Sequence, residues 1–511
     1  MPAVLAASIV FLASAAVLVL EILAVRLLAP HLGVSLETTT GVIGTVLAGI
    51  AIGTWLGGRL ADQVDPRRLL GPILVVGGVL ALTVVPIVSL VASLGLTPDP
   101  AGILLFAAAA FFLPAAVLSA ASPTVVKLQL HHLGQTGSVV GRYSAIGTAG
   151  AIAGSFVTGF VLVAALPTRP IVIGLGLALV VVGIAISVTV GRARGSGVVA
   201  VALLLAGSTI LWAVLSPRAC QRESAYFCIS VTTASADGSE RVLRMDTLRH
   251  AYVDLDDPRH LEFEYTRLLG AVVDAMAPAG VPLAGLHLGG GGFTLPRYIA
   301  ATRPGSVNRV LELDPVVLET ARQELGLVTS DELSVVLGDA RLSLADEPTD
   351  IYDIVIGDAF AGPAVPWHLT TQELVTEVRR VLRPEGIYAV NIIDYPPLRL
   401  ARAQLATFAE VFDHVAVWGP RSRVTGTSGG NVILLASDEP LPAEALLAAD
   451  RAHGGSASLV AGWRGVPDGQ GDSAGGDAAA DAALIAEFID DAVVLTDDFA
   501  PADQLMTRFG G

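Results

Sequence analysis

The sequence predicts an α-helical membrane bundle of about seven transmembrane helices, followed by an α/β domain with a parallel sheet and a small β unit at its start. Three observations predict this. Apolar residues make up 53% of the 511 residues and the mean hydropathy is +0.66, yet the charges crowd into the C-terminal part. Residues 1–215 hold nine Lys or Arg and five acids, leaving 22 and 42 of the chain's 31 and 47 beyond them, a net of -20. Near residue 226 the apolar period changes from helical to alternating, and further on an apolar strand runs into the glycines of Leu286-His287-Leu288-Gly289-Gly290-Gly291-Gly292-Phe293. An acidic soluble part repels nucleic-acid phosphates and suits cationic substrates such as amines, so no nucleic-acid partner is expected.

Seven apolar stretches lie near 3–28, 38–58, 69–93, 101–122, 138–166, 170–190 and 198–215. Each is long enough to cross a hydrocarbon layer of roughly 30 Å as a helix. The first has no basic leader and carries Glu21 and Arg26, so it is expected to be a retained span rather than a signal peptide. Charges at that depth should face the bundle or the interface, where the two either anchor the helix end or serve a transport role. The fifth stretch places Gly141, Gly147, Gly150, Gly154 and Gly159 at spacings that let helices approach closely. Between the second and third lies Gly57-Gly58-Arg59-Leu60-Ala61-Asp62-Gln63-Val64-Asp65-Pro66-Arg67-Arg68. It resembles the short cytoplasmic loop signature of the major facilitator superfamily, and the first six spans resemble one half of such a transporter. A multi-pass protein in contact with the lipid bilayer is expected, located in the cell membrane.

Loops after spans two, four and six hold Arg59, Arg67, Arg68, Lys127, Arg192 and Arg194, whereas those after one, three and five hold Arg169 alone. That bias puts the N-terminus inside, and seven spans then leave everything after Leu215 outside. Arg218 and Arg222 pull the other way. Cys220 and Cys228, the two cysteines, either pair in an oxidising space or stay reduced in the cytosol.

From 216 to 260 the sequence reads as a linker and a small β unit. Strands are predicted at 227–232 and 241–245 around Ala236-Asp237-Gly238-Ser239, and a helix begins near Leu261. Over 261–440, strands at 283–288, 309–313, 333–337, 351–357 and 386–393 alternate with helices near 294–302, 315–325 and 371–382, which predicts a parallel sheet covered on both faces. Asp314-Pro315 predicts a capped helix start, and Thr370 with Glu373 a capping box. Runs at 414–418 and 431–436 suit closing antiparallel strands. Within 441–511, residues 452–482 read as a flexible insertion, followed by the acidic motif Leu495-Thr496-Asp497-Asp498-Phe499-Ala500-Pro501.

The chemistry falls on the strand ends. Gly289 to Gly292 close the first strand, where bare backbone lets a ligand approach with N–H groups aimed at it. Glu312, about 20 residues further on at the end of the next strand, is placed to accept hydrogen bonds from two ribose hydroxyls. Asp339, in Leu337-Gly338-Asp339-Ala340-Arg341, ends the third strand on the side of the base. Asp358 ends a central strand, where a carboxylate can take a proton from an amine nucleophile and hold its remaining cationic character. The sequence contains no metal-ligand cluster, nucleophile elbow or phosphate-binding lysine motif.

These residues together resemble the polyamine aminopropyltransferases, the spermidine synthase family, over about 226–440, and the whole chain resembles bacterial membrane proteins that fuse such a domain to transporter-like helices. The resemblance implies a methyltransferase-like Rossmann fold behind the small β unit and decarboxylated S-adenosylmethionine, or S-adenosylmethionine itself, as cosubstrate. It puts the cosubstrate motif on Gly289, Gly290, Gly291, Gly292, Glu312, Asp339 and Ala340, the catalytic aspartate on Asp358 and a substrate-side tyrosine on Tyr265. The implied partner is a small-molecule amine, attacked through its nitrogen onto the aminopropyl carbon beside sulfonium. With sulfonium as the leaving group no metal is expected. A homo-oligomer is expected.

The departures lie on the amine side. Where the family's glycine loop carries an aspartate this chain has Gly292, and where a second aspartate follows the catalytic one it has Ala361. Family glutamines correspond to Phe227, His250 and Thr266, of which His250 is retained as a substrate-side candidate. Two features are candidates to compensate: the acidic C-terminal motif, if it folds back, and His368 on the loop after Asp358. Methyl transfer to another acceptor, and nucleoside binding by a non-catalytic sensor or transporter accessory, stand as alternatives.

Overall fold

In the computed structural model, the described residues are 1–95, 99–191, 196–360, 365–463 and 485–506. The chain divides into two compact units, Met1–Cys228 and Ile229–Gly511. Arg192, Arg194, Ala361 and residues 464–482 of the expected flexible insertion lie outside the described residues.

The first unit is helical. Among the described residues six helices are long and apolar enough to cross a membrane: Ala3–Leu32, Leu36–Gln63, Pro66–Ala92, Pro100–Gln129, Leu133–Ala165 and Thr168–Thr189. A further helix, Ser196–Leu215, occupies the place of the seventh expected span. Glycine allows the closest approaches. An added Cβ at Gly154 would lie 2.6 Å from the Ala15 carbonyl oxygen, and one at Gly150 would run into that of Phe11, so the fifth helix packs its backbone onto the first. Leu20, Leu23, Leu28, Leu74, Phe106, Phe111 and Leu118 fill the interior of the bundle.

Arg26 finds its partners outside its own helix. Its guanidinium reaches the Glu223 carboxylate at 3.2 Å and the Ala225 carbonyl at 2.5 Å, and both Glu223 oxygens accept from the Thr168 backbone N–H at 3.1 Å. Arg169 donates to the Pro217 carbonyl at 2.9 Å. The second half of the first helix, the start of the sixth and the segment after the seventh therefore share one end of the bundle, as successive crossings require. Cys220 and Cys228 are paired in a disulfide, Cα–Cα 5.1 Å.

A two-residue strand, β1 (Arg222–Glu223), lies near the end of the first unit, and the second unit begins with antiparallel β2 (Cys228–Thr233), β3 (Glu240–Met245) and β4 (Leu248–Asp254). The sequence analysis missed β4, whose Leu248-Arg249-His250-Ala251-Tyr252-Val253-Asp254 carries charge beside its alternating apolar residues. The larger sheet holds β5 (Ala284–Leu288), β6 (Val307–Glu312), β7 (Leu333–Leu337), β8 (Tyr352–Gly357), β9 (Leu382–Asp394), β10 (His414–Pro420), β11 (Gly430–Ser437) and β12 (Ala457–Trp463) in the order β12-β10-β11-β9-β8-β5-β6-β7. β9, β8, β5, β6 and β7 run parallel, and β11, β10 and β12 add antiparallel pairs at one edge. The helix Ala443–Ala452 precedes the stretch expected to be a flexible insertion, and β12 lies within it.

Helices cover both faces. Thr294–Thr302, Pro315–Glu324 and Gln372–Val381 match their expected spans closely, whereas the helix expected from Leu261 runs Glu264–Met276. Asp314 caps its helix by accepting from Val316 N–H at 2.8 Å. The cap of Gln372–Val381 is Thr371, not Thr370: Thr371 Oγ1 accepts from Leu374 N–H, while the Thr370 hydroxyl donates to the Trp367 carbonyl. Glu373 is drawn off to the Asp497 N–H at 3.0 Å, so the expected capping box does not form.

Because Gly150 meets backbone rather than a movable side chain, Gly150→Leu should lower the stability of the detergent-solubilised chain by about 1–3 kcal/mol. A thermal midpoint equal to wild type would contradict the close pairing of the first and fifth helices.

Candidate active site

The parallel sheet reverses its strand order between β5 and β8, where Leu288 pairs with Gly357. Open α/β sheets bind ligands beyond the carboxyl ends of strands at such a point. The glycine loop leaves β5 there, and Asp358 leaves β8 beside it. Asp358 N–H donates to the Leu288 carbonyl at 3.0 Å. Gly289 sits at φ +98°, and a Cβ on it would come within 2.7 Å of the Asp358 carbonyl oxygen, so the approach of the two strand ends requires glycine.

Glu312 lies at the end of β6, 7% exposed. One carboxylate oxygen accepts from Gly290 N–H at 2.8 Å and Gly291 N–H at 3.3 Å, and the other from Asp314 N–H at 2.8 Å. The expectation that glycine N–H groups aim at a ligand is therefore corrected. Two of them hold the acid, because a buried carboxylate needs donors. Burial raises its pKa above the ordinary glutamate value, and the three backbone N–H groups oppose that rise.

Gly292 faces the small sheet. A Cβ on it would run into the Ala251 methyl and lie 3.1 Å from Val253 Cγ2, both on β4. The same strand takes a hydrogen bond from the Thr294 hydroxyl to the Tyr252 carbonyl, 3.1 Å, so β4 is fastened over the glycine loop. β4 also carries His250, whose carbonyl accepts from the Tyr265 hydroxyl at 3.1 Å. Burial pushes the His250 imidazole down to about 4, leaving it neutral at physiological pH. Thr266 is buried, with its hydroxyl on the Phe263 carbonyl.

Asp358 is the strongest electrostatic feature. Burial pushes its carboxyl up to about 6 against the opposing hydrogen bonds of Asn391 and Tyr265. Asn391 Nδ2 donates to Asp358 Oδ1 at 2.9 Å, and Asn431 Nδ2 in turn donates to Asn391 Oδ1 at 2.9 Å. The sequence analysis missed both asparagines. The available signal was one amide in the apolar run Tyr388-Ala389-Val390-Asn391-Ile392-Ile393 of a central strand. The Tyr265 phenol is raised by burial and by the same carboxylate.

Asp339 caps the short helix Ala340–Leu344, accepting from Arg341 and Leu342 N–H at 2.9 and 3.2 Å. Its other oxygen lies 3.0 Å from His368 Nε2, which gives that histidine a partner at the base-side corner. Ala340 is buried beside it. The structure thus brings Gly289–Gly291, Glu312, Asp358 and Tyr265 to one sheet edge, and sets Gly292 against β4. Among the described residues no group of three or more His, Cys, Asp or Glu is placed to hold a metal ion.

No family model matches this chain. It is 30% identical over 210 residues to a polyamine aminopropyltransferase of Vibrio vulnificus, covering 40% of this chain and 64% of that one, and 26% identical over 160 residues to one of Chromobacterium violaceum, covering 31% and 59%. It is also 31% identical over 124 residues to the human eEF1A lysine and N-terminal methyltransferase, covering 22% and 18%. The chain thus spans less than two thirds of the length of these relatives. A probable spermidine synthase from Corynebacterium glutamicum superposes with a TM-score of 0.46 at 27% identity, covering 54% of this chain and 95% of the other.

Gly292→Asp should not restore an acid to the site. It should instead press on β4 and cost about 1–3 kcal/mol of stability, read as a lower thermal midpoint; an unchanged midpoint would show that β4 yields. The chain is thus similar over part of its length to polyamine aminopropyltransferases, and among its described residues it holds six helices apolar enough to cross a membrane.

Proposed function

We propose that the second unit transfers an aminopropyl group from decarboxylated S-adenosylmethionine to a small amine, within a multi-pass membrane protein. The observation that carries this reading is Asp358: a carboxylate raised to about 6, held by Asn391, at the strand-order switch beside the glycine loop. The residues present fit a nucleoside. At Gly291 a Cβ would meet nothing within 4 Å, so the loop backbone is open there, and Glu312, after accepting three N–H groups, keeps about one of its roughly four lone-pair sites for a hydroxyl.

The chemistry follows from the charges. An amine is protonated at neutral pH and has no free pair, so Asp358 takes one of its protons. A carboxylate raised to about 6 is a stronger base than an ordinary aspartate and is still mostly ionised at pH 7. The nitrogen pair then forms the new C–N bond at the carbon beside sulfur. The C–S pair returns to sulfur, and a neutral thioether, methylthioadenosine, leaves. Asp358 retains the proton until solvent removes it, and the Asn391 amide holds the carboxylate in line.

A second reading, methyl transfer from S-adenosylmethionine, is favoured by Gly292. With β4 packed against it, no acid at that position can meet the ammonium of an aminopropyl chain. The similarity to a lysine and N-terminal methyltransferase points the same way.

Purified full-length chain given putrescine and decarboxylated S-adenosylmethionine should release methylthioadenosine, and Asp358→Asn should reduce release at least 100-fold. Methyl transfer from S-adenosylmethionine alone would select the second reading, and nucleoside binding without either product would leave a non-catalytic binding unit. Catalysis needs the ionised carboxylate, so turnover should halve as pH falls to about 6 and decline tenfold per unit below it. The sign for stability is opposite. A raised acid pKa stabilises the fold below the ordinary aspartate value of about 3.9, and that contribution is lost as pH rises through about 6. At pH 7.5 Asp358→Asn should therefore keep or raise the thermal midpoint.

A further inference from the structure

The acidic C-terminal motif does not lie free. Leu495 N–H donates to Thr407 Oγ1 at 2.9 Å, and its carbonyl accepts from Gln372 N–H at 2.8 Å. Thr496 and Phe499 exchange two backbone hydrogen bonds of 3.0 Å, closing a tight turn around Asp497 and Asp498. Asp497 then makes a two-pronged pair with Arg341, Nη1 to Oδ1 at 2.7 Å and Nη2 to Oδ2 at 2.5 Å, and this contact holds its carboxyl below the ordinary aspartate range.

Arg341 stands next to the base-side corner. Besides Asp497, its Nη1 donates to the His368 carbonyl and to Thr371 Oγ1, each at 3.0 Å. His368 Nε2 lies 3.0 Å from Asp339 Oδ2. Backbone and side chain of His368 are therefore both engaged, one by Arg341 and one by Asp339. A planar guanidinium with several donors holds such a set in fixed directions only while an anion takes its outer edge. Asp497 is that anion, supplied from 156 residues further along the chain.

We propose that Asp497 is a positioning residue for nucleobase recognition. Acting through Arg341 and His368, it fixes the direction of the Asp339 carboxylate that meets the exocyclic amino group of adenine. The inference rests on the reading that this corner holds the base of the cosubstrate. It makes the C-terminal turn part of the specificity of the site, a role the strand-end motifs do not reveal.

The test measures a ratio, because a purely structural clip would weaken all nucleosides alike. Full-length chain in detergent is titrated with methylthioadenosine and with methylthioinosine, which replaces the 6-amino group by a carbonyl. Wild type should prefer the adenine compound by about tenfold, equivalent to roughly 1.4 kcal/mol. Asp497→Asn and Arg341→Met should each reduce that preference to about twofold, the double variant should lose no more than either alone, and Asp497→Glu should restore most of it. Variants that bind both nucleosides more weakly but keep the wild-type ratio would overturn the proposal. Wild type that binds both equally would overturn it together with the assignment of Asp339, and wild type that binds neither would overturn the nucleoside reading on which both rest.

Discussion

The carboxyl edge of the second unit is organised around the burial of Glu312. A carboxylate that is 7% exposed is costly unless several donors meet it, and three backbone N–H groups from two separate loops do so here. One acid thereby fixes the glycine loop after β5 to the turn after β6. The glycines are needed for this as much as for any ligand, since a Cβ at Gly290 would lie 2.9 Å from the carboxylate oxygen and 2.6 Å from the Phe293 ring. A ligand hydroxyl meeting Glu312 thus joins an interaction that is already formed, and the loop is organised in advance of binding.

Asp358 shows the opposite balance. Its side chain has an amide and a phenol in place of a cation or a set of backbone donors, and burial prevails, raising its pKa. Two acids on the strand ends either side of β5 are thus prepared differently, one held as a hydrogen-bond acceptor and the other as a proton acceptor. The small sheet makes the difference possible. β4 carries the carbonyl that orients Tyr265, and it also covers Gly292 and closes that side of the loop to a larger residue. The loss of an acid at 292 and the packing of β4 are one structural fact.

Much of this was legible in the sequence because it depends on local physics. Glycine before a helix, an acid at the end of the next apolar strand and Asp-Pro at a helix start are short-range patterns, and the strands and helices from 283 to 393 follow them within a few residues. The illegible parts share a cause. Asn391 and Asn431 meet across adjacent strands, Glu373 accepts from the Asp497 N–H instead of closing a capping box, and β4 lies against the glycine loop. Each depends on a partner far away in sequence.

The sequence by itself determined the two unlike units, the helical period of the first, the strand and helix alternation of the second, and the acids and glycines at the strand ends. Hydrophobic periodicity and backbone steric rules act over a few residues and need no partner. Only the tertiary structure decided what those groups face. It turned the glycine N–H groups to Glu312, closed Gly292 beneath β4, joined Arg26 to Glu223 and Cys220 to Cys228, and brought Asp497 to Arg341 beside Asp339. Contact across the fold depends on which surfaces the chain brings together, and no local pattern carries that information.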